Sequence, residues 1–140
     1  NLKRYDIPAS LIELELVEST FMGDLAQAVG KIKILKSIGI KFAVDDFGTG
    51  YSSLTYLQKL PIDSIKIDKS FIMDLQHKSN REIVKMIINF AKLFNLKVVA
   101  EGVENIKTLE FLQNFGCDYY QGYFFSRAIS SDDISDMVKP

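Results

Sequence analysis

Ala43-Val44-Asp45-Asp46-Phe47-Gly48-Thr49-Gly50-Tyr51-Ser52-Ser53-Leu54 is the stretch on which the reading of this chain turns. A short apolar strand, Ile40 to Val44, runs straight into two adjacent carboxylates. A loop with glycines at 48 and 50 follows, and Ser52-Ser53 then opens a helical pattern. Neighbouring aspartates repel each other and resist burial unless a cation lies beside them. At the junction of strand and loop they look like half of a metal site. The glycines permit positive φ and a close backbone approach to something bulky and polar.

Working outward, the same unit recurs. Leu11 to Val17 alternates, with Glu13 and Glu15 on one face and Leu14 and Leu16 on the other, the period of a strand. Glu18-Ser19-Thr20 ends it. A helix is expected from Asp24, its N-cap, to Ile38, with Leu25, Val29, Ile32, Leu35 and Ile38 forming a buried stripe and Gly39 at C′. Beyond the opening stretch come a short helix, Ser52 to Lys59, and a break at Leu60-Pro61. A strand, Ser64 to Asp68, sets Ile65 and Ile67 against Lys66 and Asp68. The clearest helix is Asn80 to Phe94. Lys97 to Ala100 is a fourth strand, ending in Glu101-Gly102. A helix from Asn105 to Phe115 is closed by Gly116. Asp118 to Phe124 reads as a fifth, aromatic strand interrupted by Gln121-Gly122, and Ser131 to Val138 as a last helix capped by Ser131. Asn1 to Asp6 reads as a helix tail closed by Pro8.

Five repeats of strand, polar tip and helix imply right-handed crossovers and a parallel sheet. Polar residues gather where the strands end: Glu15 and Glu18, Asp45 and Asp46, Lys66 and Asp68, Glu101 and Glu104, Gln121. That end carries the site in barrels and in open α/β sheets alike. Five units suffice for an open sheet, whereas a barrel needs eight and about 250 residues. Pattern alone leaves the choice open, but acids pointing one way from a strand suit a barrel lumen.

Bulk properties set bounds. The 140 residues are one domain by length, 47% hydrophobic and 25% charged, as in an ordinary globular protein. Seventeen basic and eighteen acidic residues leave a net charge of −1, with no general field for a nucleic acid polymer or an anionic membrane. A single cysteine, Cys117, excludes an internal disulfide and a multi-cysteine metal site, and fits a reducing compartment. With no bilayer-length apolar run and no signal-peptide pattern, a cytoplasmic domain is expected, leaving the full-length protein free to carry a membrane anchor. Asn1 in place of an initiating Met points to a piece of something longer. His77 lies in a polar stretch and reads as a surface residue. The aromatic run Phe111, Phe115, Tyr119, Tyr120, Phe124 and Phe125 reads as core and dimer packing.

Five motifs in order are similar to the C-terminal part of an EAL domain, the cyclic di-GMP phosphodiesterase family. They are Glu15-Leu16-Val17-Glu18-Ser19, the opening stretch from Asp45 to Leu54, Lys66-Ile67-Asp68-Lys69-Ser70-Phe71, Val99-Ala100-Glu101-Gly102-Val103-Glu104 and Gln121-Gly122-Tyr123. The resemblance spans nearly the whole chain. It implies a modified (βα)8 barrel of which about five units are present, residues 1–140 forming the C-terminal part of a single domain. The Glu-Ala-Leu motif and the Asn on the next strand, each a metal ligand in the family, would precede Asn1. Val17 stands where Thr is common.

By the same resemblance, two Mg²⁺ or Mn²⁺ ions hydrolyse cyclic di-GMP to linear pGpG. Hard cations with carboxylate and amide ligands fit that work, and two ions about 3.5–4 Å apart neutralise a phosphoryl group and activate water. Glu15, Asp45 and Asp46 are the expected metal ligands. Lys66 is a fixed positive charge and Glu101 the general base or the ligand of the metal-bridged water, with Asp46 counted beside them in catalysis. Gln121, Asp68 and Glu104 are candidate substrate contacts. Glu18 would steady the loop of Phe47, Gly48, Thr49 and Gly50, which gates rather than reacts. A homodimer through the region after Asp46 and fusion to sensory or diguanylate cyclase modules are implied as well, and the isolated chain, short of two ligands, is expected to be inactive. Two other readings compete: a degenerate EAL domain that binds cyclic di-GMP without cleaving it, and a receiver domain. The receiver would carry its acidic pair on the first strand, whereas here it follows the second.

Overall fold

In a computed structural model that describes residues 2–17, 25–49 and 57–137, five strands line up in chain order. They are β1 (Glu13–Val17), β2 (Lys41–Phe47), β3 (Ser64–Ile67), β4 (Lys97–Glu101) and β5 (Tyr119–Gln121), and every neighbouring pair is parallel. The helices are α1 (Leu25–Ser37), α2 (Lys69–Met73), α3 (Lys78–Leu93), α4 (Ile106–Phe115) and α5 (Ser131–Met137). A doubly wound sheet reverses its strand order at a switch point. This order, β1-β2-β3-β4-β5, never reverses. With right-handed crossovers it sends the connecting helices to one face, the winding of a barrel wall.

The two faces differ accordingly. Phe42, Val44, Ile65, Ile67, Val98 and Ala100 are buried with Ile72 of α2, Val84, Ile87, Ile88 and Ala91 of α3, and Leu109 and Leu112 of α4 in one apolar core. Each large aliphatic side chain so buried contributes about 1.5–3 kcal/mol relative to exposure. Pairing registers place Glu15 beside Ala43, Ala43 beside Ser64, Lys66 beside Val99 and Glu101 beside Gln121. In-register neighbours share a face, so the opposite face carries Glu13, Glu15, Asp45, Ser64, Lys66, Glu101 and Gln121.

The end of the sheet away from those acids is tied by a repeated device. Asp63, just before β3, accepts a hydrogen bond from Phe42 N of β2 (2.9 Å) and pairs with Lys36 (2.5 Å). Asp118, just before β5, accepts from Val98 N of β4 (3.0 Å) and pairs with Lys97 (2.6 Å). Each aspartate thus satisfies a strand amide in the neighbouring strand.

Several elements differ from the expectation. The strand read from Leu11 starts at Glu13, because Ala9–Leu11 is a 3-10 turn, and the presumed N-terminal helix tail is one such turn, Leu2–Arg4. Ile38 is 58% exposed rather than in the α1 stripe: the helix ends at Ser37, and Gly39 at φ 100° turns the chain with Ile40 N bonded back to Leu35 O. β2 runs three residues beyond Val44, to Phe47. Helix α2 was not anticipated, and α3 begins at Lys78 rather than Asn80. β5 spans only Tyr119–Gln121, the chain after Gly122 leaving the ladder to bond to Val103. The cap of α5 is Ser130 rather than Ser131, its Oγ accepting from Asp133 N. Of the short helix expected at 52–59, residues 52–56 lie outside the described residues. Removing a carboxylate from the sheet end leaves a strand amide unpaired, at a cost of about 1–3 kcal/mol. Asp118→Ala in the intact domain is therefore expected to shift urea unfolding by that amount, and an unchanged midpoint would contradict the role.

Candidate active site

Adjacent residues of a regular strand point to opposite faces, so Asp45 and Asp46 should not share a site. A bulge removes the conflict. Val44 pairs with Ile65 and Phe47 with Ile67, so two residues of β2, Asp45 and Asp46, stand opposite the single Lys66 of β3. Asp46 takes φ 52°, in the left-handed region that Asp and Asn tolerate better than other residues with side chains. Its carbonyl accepts from Thr49 N (3.3 Å) and Thr49 Oγ1 (2.9 Å), closing the turn. One carboxylate oxygen each from Asp45, Asp46 and Glu101 lie within 4.8 Å of one another. The extra residue also returns Phe47 to the apolar face, where it is buried and stacked on Phe90 at 6.3 Å. Phe47 is therefore a core residue and the end of β2, rather than the start of the loop that its position after the acids suggested.

Lys66 is the centre of the cluster. Its side chain is 8% exposed, and Nζ lies 2.6 Å from Glu15, 2.7 Å from Glu101 and 3.0 Å from Asp45. Burial alone would lower its pKa, but the carboxylates of Glu101, Glu15 and Asp45 outweigh it and hold the ammonium well above the ordinary lysine value. The partner is not Asp68, the sequence neighbour on the same strand face. Asp68 instead caps α2, accepting from Ser70 N (2.9 Å) and from the Ser70 hydroxyl. Burial raises the Asp68 pKa, yet the Ser70 bonds prevail and lower it overall. Asp46 is pushed up, first by burial and then by repulsion from Asp45 and Asp68.

Of the residues singled out from sequence, Glu15, Asp45, Asp46, Lys66 and Glu101 come together. Gln121 stands beside Glu101 in the ladder, exposed at the end of β5. Glu104 is exposed just ahead of Asn105, which caps α4 through Thr108 N. Gly48, at φ 100°, leads the loop away over Phe71. Glu18 and Gly50 lie outside the described residues. The bond from Ser64 Oγ to Glu13 (3.0 Å), one layer below the cluster, was not foreseen. Nor was the bulge, although two acids of like role on one strand are its signal.

A divalent ion fits this donor set. Four carboxylates (Glu15, Asp45, Asp46, Glu101) against one ammonium (Lys66) leave a formal charge of −3. Asp45 Oδ1 is buried and makes no hydrogen bond, since its contact with Lys66 lies outside hydrogen-bond geometry. The donors are all oxygen, which favours hard cations.

The chain and its fold have known counterparts. The EAL domain model matches residues 1–128, and the chain belongs to that family. It is 43% identical over 139 residues to the cyclic di-GMP phosphodiesterase NbdA of Pseudomonas aeruginosa, covering 99% of this chain and 18% of NbdA. Among solved structures, the PaMucR phosphodiesterase in complex with c-di-GMP matches with a TM-score of 0.90 at 40% identity, over 95% of this chain and 54% of that one. The manganese and cyclic di-GMP complex of BlrP1 from Klebsiella pneumoniae matches with a TM-score of 0.82 at 31% identity, over 90% of this chain and 32% of that one. The chain thus spans about a fifth of the curated relative and about half of the first structure, and its sheet is part of a barrel of the EAL type.

Metal binding to the folded state alone should raise stability by about 2.7 kcal/mol at a hundred times Kd. Adding Mn²⁺ to the intact domain is expected to raise its melting temperature, and Asp45→Asn to remove most of that rise. A rise that survives the substitution would place the metal elsewhere.

Proposed function

We propose that the intact domain containing this chain hydrolyses cyclic di-GMP to linear pGpG. The observation that carries the proposal is the Lys66 cluster: a buried ammonium among three carboxylates, with Asp46 turned in beside them by the bulge and a net negative charge that suits a cation. The names of NbdA and of the PaMucR and BlrP1 complexes support the substrate. Residues 1–140 form the C-terminal part of a single EAL domain.

Glu15, Asp45 and Asp46 hold divalent ions, Mg²⁺ or Mn²⁺, with further ligands from outside this chain. Such ions supply Lewis acidity and charge neutralisation at the phosphoryl group. Glu101 accepts the proton of the attacking water, a role worth about 10²–10⁴-fold. Lys66 aims Glu101 through their 2.7 Å contact and offers a fixed positive charge to phosphoryl oxygens as negative charge develops there. Gln121 hydrogen-bonds the dinucleotide at the edge of the site, with Glu104 and Asp68 at its margin. The segment after Asp46, beginning at Gly48 and Thr49 and continuing through Gly50, adjusts the acids and contributes to a homodimer, and Glu18 steadies it.

Fusion to other signalling modules fits the small share of NbdA that the chain covers. The chain has no described helix long and apolar enough to cross a membrane, which agrees with a cytoplasmic domain. By itself the 140-residue chain is inactive: β1 is the edge of the sheet, and the Glu15 side chain is 49% exposed there.

Chromatographic assay of pGpG release with Mn²⁺ tests this. The intact domain should be active, Glu101→Gln and Asp45→Asn should each lose about a hundredfold or more, and the isolated chain should release nothing above background. Binding of cyclic di-GMP without product by the wild-type domain would make it a receptor instead.

A further inference from the structure

Gly122 lies against the backbone of Val103 more closely than a side chain permits. A Cβ at position 122 would stand 2.1 Å from Val103 O, 2.4 Å from its N and 2.7 Å from its carbonyl carbon. Val103 is fully buried, so its backbone groups must be paired inside the protein. Both are: Val103 N donates to Gln121 O and Phe124 N donates to Val103 O, each at 3.0 Å. Residues 121 and 124 therefore bracket Val103, with Gly122 seated on it between them. No positive φ explains this glycine; the absence of a Cβ does.

The bracket joins two segments that matter. Two residues before Val103 is Glu101, which contacts Lys66 and ends the β4–β5 ladder opposite Gln121. On the far side of the same segment, Gly102 at φ 75° is pressed on α2, where a Cβ would come 2.8 Å from Lys69 Cβ. The strip from Glu101 to Val103 is thus wedged between α2 and the Gln121-Gly122 turn, with a glycine at each contact.

We infer that Gly122 is a positioning residue for Gln121, its contact with Val103 fixing where the Gln121 amide stands relative to Glu101 and hence how substrate is held. This rests on the proposed function. A displacement of about 1 Å is enough to cost a hundredfold in a positioned reaction, and a Cβ forced against backbone cannot be absorbed by a flexible neighbour.

A double-mutant cycle in the intact domain tests it, with kcat and KM for cyclic di-GMP, the Mn²⁺ dissociation constant and the melting temperature as readouts. Gly122→Ala is expected to raise KM about tenfold or more while leaving Mn²⁺ affinity within about twofold, because Asp45 and Asp46 lie on β2, away from the contact. Gln121→Ala is expected to raise KM comparably, and the double variant to be no worse than Gln121→Ala alone. Multiplying penalties, or an unchanged KM in Gly122→Ala, would overturn the inference. Residue-resolved amide exchange of the wild-type domain gives a second reading independent of variant folding. Val103 and Phe124 should exchange about tenfold more slowly with cyclic di-GMP bound, and unchanged rates would count against the bracket. A wild-type domain that neither binds nor cleaves cyclic di-GMP removes the proposed function and this inference with it. A competent wild type with additive penalties removes the inference alone.

Discussion

One buried ammonium holds the polar end of this sheet together. Lys66 is surrounded by Glu15, Asp45 and Glu101, contributed by three other strands. Carboxylates brought this close repel, and burying them without a counter-charge is costly. The lysine offsets part of that repulsion and leaves the cluster negative. The balance is suited to a divalent cation: enough positive charge for the strand ends to pack, too little to satisfy every acid. Asp45 Oδ1 faces Lys66 Nζ at 3.0 Å without a hydrogen bond, the least satisfied of the three contacts around the ammonium.

The second constraint is geometric. A parallel sheet presents alternate residues to its two faces, which allows one acid per strand at each level. The bulge at Asp45-Asp46 breaks that rule once, presenting two acids from one strand and then restoring Phe47 to the core. The strained φ of Asp46, the turn closed by Thr49 and the stacking of Phe47 on Phe90 belong to one local arrangement. A loop that moves Thr49 or Gly48 would move Asp46 with it, which connects the segment after the acids to the chemistry without a separate relay.

Much of this was legible beforehand because period and polarity are local signals. Ile65 and Ile67 against Lys66, and the acids at strand ends, marked the strands and the site. Strand order was legible only through the family resemblance, since by period and polarity a run of strand–helix units is the same for a barrel wall and an open sheet until pairing is seen. Three other features escaped for related reasons. The five-residue α2 is too short to show a helical period. The bulge changes register across strands and leaves only two adjacent aspartates as its trace. The partners of Lys66 left no local trace, because Glu15, Asp45 and Glu101 are distant in sequence; its near neighbour Asp68 is held instead by the amide and hydroxyl of Ser70. Gly122 was legible only as an interruption of the fifth strand, whereas it is required by the nearness of Val103, which no spacing reveals.

The most direct test of this account is an anomalous-scattering map of the intact domain crystallised with Mn²⁺. The account predicts manganese peaks bound by Asp45 and by Asp46, with Lys66 remaining between Glu15 and Glu101. Manganese bound away from the Asp45-Asp46 bulge, or the two side chains on opposite faces of β2, would contradict it.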